Sequence, residues 1–379
     1  MNPVYLDHNA STPIEKEVTD AMMPFLFEHF GNPSSSHYYG IITREALEKA
    51  RLQVAGFINC NPDQIIFTSG GTESNNYALK GAAFHLQAKG NHLITSQVEH
   101  PAIINVCKYL ENHGFETTYL PVDEYGIVNP SDVEAAITHR TILLSIMHAN
   151  NEVGSIQPIR EISEIARDHK IVFHTDAAQS AGKIPVDVDE LGVDLLSLAG
   201  HKIYAPKGVG ALYLRRGVKL EKQMNGATQE FGLRAGTENV LEIVGLGKAC
   251  EIARSNLAGF AVNMKKMRDT LYDLLTKNIS DIRLNGHPEK RLPNTLSIGF
   301  KYCKASELIE NLENLAVSAG AACHLYNVEI SPVLKAMNVP PEYAVGTLRI
   351  STGRHTSFEE IEIAAESIIR AVKKLRKTG

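Results

Sequence analysis

Short apolar runs alternate with helical patterns from about residue 46 to residue 214, and this alternation constrains the fold more than any other feature of the chain. Six runs have the length and composition of buried strands: QIIFTS, NHLITS, TILLSIM, KIVFHTDAA, VDLLSLA and GVGALYL. Between two of them, PIREISEIARDHK would form a helix whose apolar face consists of Ile159, Ile162 and either Ile165 or Ala166. Strands that alternate with helices indicate the α/β class, with a mainly parallel sheet covered by helices.

The pattern changes in the last third of the chain. A long polar helix (NMKKMRDTLYDLLTKN) precedes a strand-like run, NTLSIGF, and a final helix for which Ser357 and Glu360 would form a capping box. With 379 residues, the chain also exceeds the usual size of a single hydrophobic core. We therefore predict a large α/β domain at residues 13–256 and a smaller α+β domain made of residues 1–12 and 257–379.

Composition excludes several classes of protein. Apolar residues make up 44% of the chain and charged residues 21%, which is typical of a globular enzyme. The formal net charge is -5 and no basic block is present, so nucleic acid is not expected as a partner. The N-terminal sequence MNPVYLDHNASTP lacks the features of a signal peptide, and no later stretch has the length of a membrane span. We expect a cytoplasmic protein without a membrane partner.

The five cysteines, Cys60, Cys107, Cys250, Cys303 and Cys323, are scattered and never occur in CxxC spacing. This pattern indicates neither a disulfide framework nor a zinc site, and we expect no bound metal. The first four are expected to be small hydrophobic residues of the core. Cys323 differs from them because it follows a run of small residues, SAGAACH.

Polar residues that could support catalysis follow the predicted strands. The first strand runs into Gly70, Gly71 and Thr72 at a helix start, where free backbone N–H groups and the helix dipole favour a phosphate. His100 follows the second strand. A lone histidine is more often structural, but ligands bind at strand ends in open α/β sheets, and its flat ring could stack on a heteroaromatic cofactor.

Two further strands end at a carboxylate and a lysine. A buried Asp176 would be costly unless it met a positive charge, which a protonated pyridine nitrogen would supply, and Gln179 could then reach a phenolic oxygen. Lys202, next to His201, follows the strand VDLLSLA. Beside a phosphorylated aldehyde its amine can form a Schiff base, and Asp176 would keep the ring nitrogen protonated, so that the ring accepts electrons.

In its motifs and their order, the chain resembles fold-type I, class-V aminotransferase-like enzymes that use pyridoxal 5'-phosphate (PLP), and among them the cysteine desulfurases and selenocysteine lyases. The motifs cover nearly the whole chain: YLDHNASTP, GNPSSSHYYG, FTSGGTESNN, EHPAI, MHANNEVGSIQPI, HTDAAQ, GHKIYAPKGVGALY, RAGTEN, SAGAACH and LRISTGRHT. The resemblance implies the fold-type I architecture, PLP as the cofactor, an amino-acid substrate and a homodimer.

The resemblance also implies a role for each matching residue. The implied cofactor-binding residues are Gly71, Thr72, His100, Asp176, Gln179, His201, Lys202 and Thr237, of which Thr237 would come from the second subunit of the dimer. Lys202 would form the Schiff base and transfer the substrate's α-proton, while His100, or else His324, would shuttle protons. Asn151 and Arg349 would bind the substrate carboxylate, since the guanidinium group donates two parallel hydrogen bonds.

Cys323 would be the catalytic cysteine, attacking the substrate's sulfur as a thiolate and becoming a persulfide. The predicted function is therefore a cysteine desulfurase that converts L-cysteine to L-alanine and passes sulfur to an acceptor protein. The alternative is a selenocysteine lyase with a selenium acceptor. The ACH sequence resembles that group, and so does Ala199, where many desulfurases have a serine. The short segment from Cys323 to Ser331 instead resembles housekeeping desulfurases. A PLP-dependent transaminase or a kynureninase-like hydrolase is more remote, because neither needs Cys323.

Overall fold

The computed structural model describes residues 3–319 and 330–378 of the chain. Its strands are β1 (Val4–Tyr5), β2 (Ile65–Thr68), β3 (His92–Ser96), β4 (Glu116–Leu120), β5 (Thr141–Ser145), β6 (Val172–Asp176), β7 (Leu195–Ala199), β8 (Gly210–Leu214), β9 (Ile282–Asn285), β10 (Thr295–Phe300), β11 (Leu315–Ala316) and β12 (Thr347–Ser351). Its α-helices are α1 (Lys16–Phe27), α2 (Tyr38–Ile58), α3 (Gly71–Leu86), α4 (Pro101–Glu111), α5 (Pro130–Ala136), α6 (Ile159–Asp168), α7 (Val188–Leu191), α8 (Val240–Asn278), α9 (Ala305–Glu310), α10 (Pro332–Ala336), α11 (Pro341–Ala344) and α12 (Phe358–Thr378).

Seven strands form the central sheet, in the order β2-β8-β7-β6-β5-β3-β4. The strands from β7 to β4 are parallel to one another. Strand β8 runs antiparallel to both of its neighbours, β2 and β7. Because two reversals restore the direction, β2 points the same way as the parallel strands. The carboxyl ends of every strand of this sheet except β8 therefore lie along one edge.

The predicted α/β class is confirmed, and all six apolar runs are strands of this sheet: β2, β3, β5, β6, β7 and β8. Strand β4 was not predicted, because its sequence ETTYL is polar, as suits an edge strand with partly exposed side chains. The helix predicted between β5 and β6 is α6, in which Ile159, Ile162 and Ala166 are buried. A parallel strand with helices on both faces reads as an apolar run, whereas a solvated edge strand does not.

A second buried cluster joins Val4 and Leu6 to apolar residues between positions 267 and 372. It includes residues of the antiparallel sheet β12-β10-β9, of the parallel pair β1-β11 and of α12. The predicted capping box of α12 is confirmed: the Ser357 N–H donates to Glu360 Oε2 at 2.7 Å, and the Glu360 N–H donates to Ser357 Oγ at 3.2 Å. Helix α8 runs without interruption across the predicted domain boundary, and the division into two domains stays a prediction.

Within residues 3–319 and 330–378, no helix is both long enough and apolar enough to span a membrane.

A buried ion pair fixes the edge strand β2, which leads into the start of α3. Arg51 of α2 donates to both carboxylate oxygens of Glu230, at 2.9 and 2.7 Å, and their side chains are only 3% and 2% exposed. Arg51 also donates to the Ile65 carbonyl at 2.8 Å, and Glu230 accepts from the Phe67 N–H at 2.8 Å. Side chains thus satisfy two backbone groups of an edge strand that has a neighbouring strand on one side only.

We predict that Arg51→Met lowers the free energy of unfolding by about 3–5 kcal/mol, because it leaves the Glu230 carboxylate buried without its partner. Chemical denaturation of the two proteins measures this difference. Arg216→Met is the matched control: Arg216 also pairs with a carboxylate, Asp63, at 2.9 Å, but its side chain is 65% exposed, so the loss should stay below about 1 kcal/mol. Equal losses for the two variants would contradict the prediction.

Candidate active site

A cavity of about 270 Å³ contains most of the residues that the sequence predicted to be functional. The predicted cofactor-binding residues that line it are Gly71, Thr72, His100, Asp176, Gln179, His201 and Lys202. Both predicted substrate-binding residues, Asn151 and Arg349, line it as well. Arg349 lies on β12, and the other lining residues predicted from the sequence lie at or after the ends of β2, β3, β5, β6 and β7. The cavity is therefore located where the carboxyl ends of these strands meet.

Among the described residues, one predicted site residue, Thr237, does not line this cavity. Thr237 is exposed and is not among the residues that line the cavity, although Arg234, at the start of the same RAGTEN motif, is paired with Glu73 of α3 at 3.0 Å. Its assignment to the second subunit of a dimer stays a prediction. Cys323 lies outside the described residues.

Lys202 ends a single helical turn directly after β7. Its Nζ donates to the backbone carbonyls of Asn9 at 2.5 Å and Ala10 at 2.8 Å. Burial and the positive charge of Arg349 lower the pKa of Lys202 to about 8, while Asp7 and Asp176 act in the opposite direction. A lysine with this pKa is an uncharged amine much more often at neutral pH than an exposed lysine, and the uncharged amine is the nucleophilic form.

Asp176 is the last residue of β6, and its carboxylate is buried at the base of the cavity. Asn75 Nδ2 of α3 donates to its Oδ2 at 2.7 Å, and the Ala178 N–H donates to its Oδ1 at 2.9 Å. Two neutral donors hold the group without neutralising its charge. The carboxylate is therefore fixed in place with its charge available to a cation in the cavity.

His100 is the N-cap residue of α4, where its Nδ1 accepts a hydrogen bond from the Ala102 N–H at 3.1 Å. Since Nδ1 acts as the acceptor, a neutral His100 ring carries its proton on Nε2. Desolvation, together with the charge of Lys202, lowers the pKa of His100, against the opposing effect of Asp176. The ring is thus fixed by its own helix end and is mainly neutral at neutral pH.

The preceding residue, Glu99, anchors the His100 segment. Its carboxyl group accepts hydrogen bonds from Ser96 Oγ at 2.7 Å and from the Met147 N–H at 3.0 Å, which links the ends of β3 and β5. Complete burial raises the pKa of Glu99 to about 8. Glu99 was not predicted to have a role, although it stands next to His100 in the EHPAI motif.

The start of α3 provides the predicted anion-binding end of the cavity. Gly71 and Thr72 are in the first turn of this helix, where backbone N–H groups lack intrahelical acceptors. The residue before them, Gly70, has φ of +151°, a conformation that favours glycine. A side chain at Gly71 would approach the Ala199 Cβ to 3.2 Å, so small residues on both sides keep this end of the cavity open.

His201 and Ala199 complete this end. Burial and the neighbouring lysines, Lys202 first, lower the pKa of His201 to about 4, so its ring is neutral, and its Nδ1 lies 3.3 Å from Ser11 Oγ. Ala199 lines the cavity and offers no hydroxyl group there. The nearest serine of β7, Ser197, is bonded through Oγ to His174 Nε2 at 2.9 Å.

Arg349 reaches the cavity from β12 and is held by two contacts. Its guanidinium group donates to Asp7 Oδ1 at 2.8 Å and to the Asn151 carbonyl at 3.3 Å. Within the described residues, the buried Nε of Arg349 has no hydrogen-bond partner. The side chain is thus pre-oriented at the cavity wall with one donor unused, which suits the binding of a carboxylate.

The structure adds residues to the site that sequence reasoning left without a role: Asp7, Asn9, Asn75 and Glu99. Asn9 connects several parts of the site, because its amide group donates to the Asn151 carbonyl at 3.2 Å and to Thr295 Oγ1 at 2.8 Å. Asp7 and Asn9 belong to the YLDHNASTP motif, which was the available signal. Contacts across nearly 300 residues have no local sequence pattern that would identify them.

The four cysteines within the described residues are core residues, as predicted. Cys107, Cys250 and Cys303 are buried, and Cys60 is partly buried against the main core. Burial raises the pKa of Cys60, Cys107 and Cys250 to about 12 and also raises that of Cys303. These four side chains are therefore protonated thiols at neutral pH, which are poor nucleophiles.

Comparisons with known proteins agree with the resemblance that the motifs indicated. Over 375 residues, the chain is 51% identical to the cysteine desulfurase IscS of Dictyoglomus turgidum, covering 98% of this chain and 95% of that protein. It is 48% identical over 375 residues to the cysteine desulfurase IscS of Methanosarcina thermophila, covering 98% and 93% of the two chains.

Solved structures give the same result for the fold. A NifS-like protein superimposes with a TM-score of 0.93 at 37% identity, covering 98% of this chain and all of that one. The structure described as SspA in complex with cysteine has a TM-score of 0.82 at 36% identity, covering 93% and 99%. The family model described as aminotransferase class-V matches residues 4–363. The chain therefore belongs to the aminotransferase class-V family.

Proposed function

We propose that this protein is a PLP-dependent cysteine desulfurase, which converts L-cysteine to L-alanine and leaves the sulfur on Cys323 as a persulfide. One observation carries the proposal: the amine of Lys202, the carboxylate of Asp176 and the ring of His100 line one cavity beside the start of α3. Relatives at about half sequence identity over nearly the full chain are cysteine desulfurases, which supports the same reaction.

The residues present fit PLP in charge and in size. The small residues at the start of α3 leave room for a phosphate, since a Cβ at Gly71 would already be 3.2 Å from Ala199. At the base of the cavity, Asp176 holds an un-neutralised carboxylate that would bind a protonated pyridine nitrogen. Lys202, with its lowered pKa, would supply the amine for the aldehyde. When bound, PLP supplies an electron sink that weakens the bonds at the α-carbon of an amino acid.

The chain's own residues would bind the substrate and move its protons. Arg349 and Asn151 would hold the substrate carboxylate, and Asp7 keeps the guanidinium group in position until the substrate arrives. The amine of Lys202 would take the α-proton, since a pKa of about 8 makes its uncharged form much more populated near neutral pH than that of an exposed lysine. His100, whose neutral ring carries its proton on Nε2, would shuttle protons through that atom, since Nδ1 is occupied by the Ala102 N–H.

Sulfur transfer requires a cysteine that can become a thiolate, and the four described cysteines are buried thiols of raised pKa. Cys323 is the remaining cysteine of the chain. Its sulfur would bond to the substrate sulfur while the substrate's carbon–sulfur bond breaks. The electron pair of that bond stays with carbon, which is protonated to the methyl group of alanine. Cys323 plus L-cysteine thus give the Cys323 persulfide plus L-alanine, with atoms and electrons balanced.

We further propose that the protein is a homodimer, in which Thr237 of one subunit completes the phosphate site of the other. An exposed aromatic cluster supports an interface: Phe30 is 77% exposed, Tyr38 is 70% exposed, and both contact the ring of Tyr39. Aromatic side chains that contact one another at the surface are typical of protein interfaces. An acceptor protein for the Cys323 persulfide is the second proposed partner.

Lys202→Ala should remove the visible absorption of the purified protein and lower alanine formation from cysteine by about 10²–10⁴-fold or more, since both the covalent link to PLP and the proton transfer depend on this amine. Absorption spectra and alanine quantification measure the two effects. Lys222→Ala, at an exposed lysine, is the control and should match the wild type. Wild-type alanine formation by Lys202→Ala would show that the assignment of Lys202 is wrong.

Cys323→Ala should abolish alanine formation from cysteine but retain part of the activity on selenocysteine, because selenium is released more readily than sulfur. Alanine, sulfide and selenide are quantified with each substrate, and the wild-type persulfide is sought on Cys323 by mass spectrometry. Cys60→Ala is the control. A strong wild-type preference for selenocysteine would favour the lyase alternative, and full sulfide release by Cys323→Ala would refute the role of Cys323.

Phe30→Asp and Tyr38→Asp should weaken the dimer, because each places a charge in an apolar interface. Sedimentation velocity should show a dimer for the wild type and a larger monomer fraction for both variants. The activity of the two variants should also fall on dilution. Tyr302→Asp changes an aromatic residue that is 69% exposed but lies outside the cluster, and it should leave the dimer unchanged. A fully active wild-type monomer at assay concentration would refute the dimer proposal.

A further inference from the structure

Lys183 is a buried lysine that faces neutral oxygens. Its side chain is 4% exposed, and its Nζ donates to Gln179 Oε1 at 2.8 Å and to Asn9 Oδ1 at 3.4 Å. The charged groups that act on it are cations: Lys202, Arg349 and Arg354. Burial, reinforced by these cations, lowers the pKa of Lys183 well below its ordinary value. A buried lysine of this kind acts through its N–H donors more than through its charge.

The contacts of the Gln179 amide with Lys183 and with the Asn9 carbonyl determine which way the amide points. An amide can be rotated by half a turn, which exchanges its oxygen with its nitrogen at little change in shape. In the observed orientation Oε1 accepts from Lys183, and Nε2 donates to the Asn9 carbonyl at 2.9 Å. The rotated amide would lose the hydrogen bond that Oε1 accepts from Lys183, and its oxygen would face the Asn9 carbonyl oxygen, which is repulsive.

The Nε2 atom of the Gln179 amide lies on the side that faces Lys202. The Asn9 carbonyl that accepts from Gln179 Nε2 also accepts from Lys202 Nζ at 2.5 Å. Gln179 and Lys202 both line the active-site cavity, whereas Lys183 is not among its lining residues. Lys183 thus contacts the oxygen side of the Gln179 amide and leaves the donor side toward Lys202.

We propose that Lys183 is a positioning residue, which holds the Gln179 amide so that an N–H donor, and not the amide oxygen, faces the phenolic oxygen of the bound cofactor. This inference rests on the proposed function, in which PLP binds in this cavity and Gln179 contacts its ring hydroxyl. A donor there stabilises the negative phenolic oxygen. The same donor lowers the pH at which the covalent Lys202–PLP linkage loses its proton. Once that proton is lost, it no longer shares the negative charge of the oxygen, and the N–H donor then stabilises that charge.

Titration of the visible band of the PLP-loaded protein tests the proposal without reference to turnover. Lys183→Met removes the donor that orients the amide, so the midpoint of the spectral change should rise by about 0.5–1 pH units. Lys183→Gln retains an N–H donor and should restore most of the wild-type midpoint. Lys222→Met, at an exposed lysine, is the control and should not move it. A Lys183→Met midpoint equal to that of the wild type overturns the proposal.

A double-mutant cycle separates an effect through Gln179 from a direct effect of the Lys183 charge. Gln179→Leu should raise the midpoint by itself, and adding Lys183→Met should then produce no further rise. An equal rise in both backgrounds would mean that Lys183 acts by its charge alone, and the positioning role would be wrong.

If the Lys183 variants do not fold, a crystal structure of the PLP-loaded wild type decides: Nζ beyond about 3.5 Å from Gln179 Oε1 overturns the proposal, and a retained contact supports it. A wild-type protein that binds no PLP would overturn the proposed function together with this inference. A normal wild-type band with an unmoved Lys183→Met midpoint overturns the inference alone.

Discussion

The site depends on the common direction of the strands in the central sheet. Parallel hydrogen bonding from β7 to β4, with β2 brought into the same direction by two antiparallel neighbours, sets the carboxyl ends of these strands along one edge. Each strand end then delivers a different chemical group: a helix start after β2, an imidazole after β3, a carboxylate at the end of β6 and an amine after β7. The sheet is buried on both faces, so its edge is where ligands can bind.

Charge balance in the cavity depends on the N-terminal segment. Lys202 and Arg349 together would bring more positive charge into the cavity than Asp176 alone would offset. Asp7 pairs with Arg349 at 2.8 Å, and backbone carbonyls of Asn9 and Ala10 accept from Lys202. Burial and the charge of Arg349 keep the pKa of Lys202 low, while the two carbonyl groups hold its amine in position without adding a formal negative charge.

Asn9 has the most connections of the residues that sequence reasoning left without a role. Its backbone and side chain contact Lys202, Gln179, Asn151 and Lys183, and the Asn294 amide donates to its Oδ1 at 2.9 Å. It is buried, and its own N–H donates to Ser351 Oγ at 2.9 Å. A fully bonded polar network of this kind makes the geometry of the site unique, because breaking any contact would leave a buried group without a partner.

The sequence by itself determined the α/β class, the six apolar strands and the identity of the groups at their ends, because buried strands and helix starts are encoded by neighbouring residues. It also identified nine residues that line one cavity, among them Lys202 and Asp176. Only the tertiary structure decided what holds these groups. The polar edge strand β4 has no apolar pattern. The contact of Asp7 with Arg349 joins chain segments that meet only after folding. The contact of Lys183 with Gln179 depends on the direction in which the Gln179 amide points.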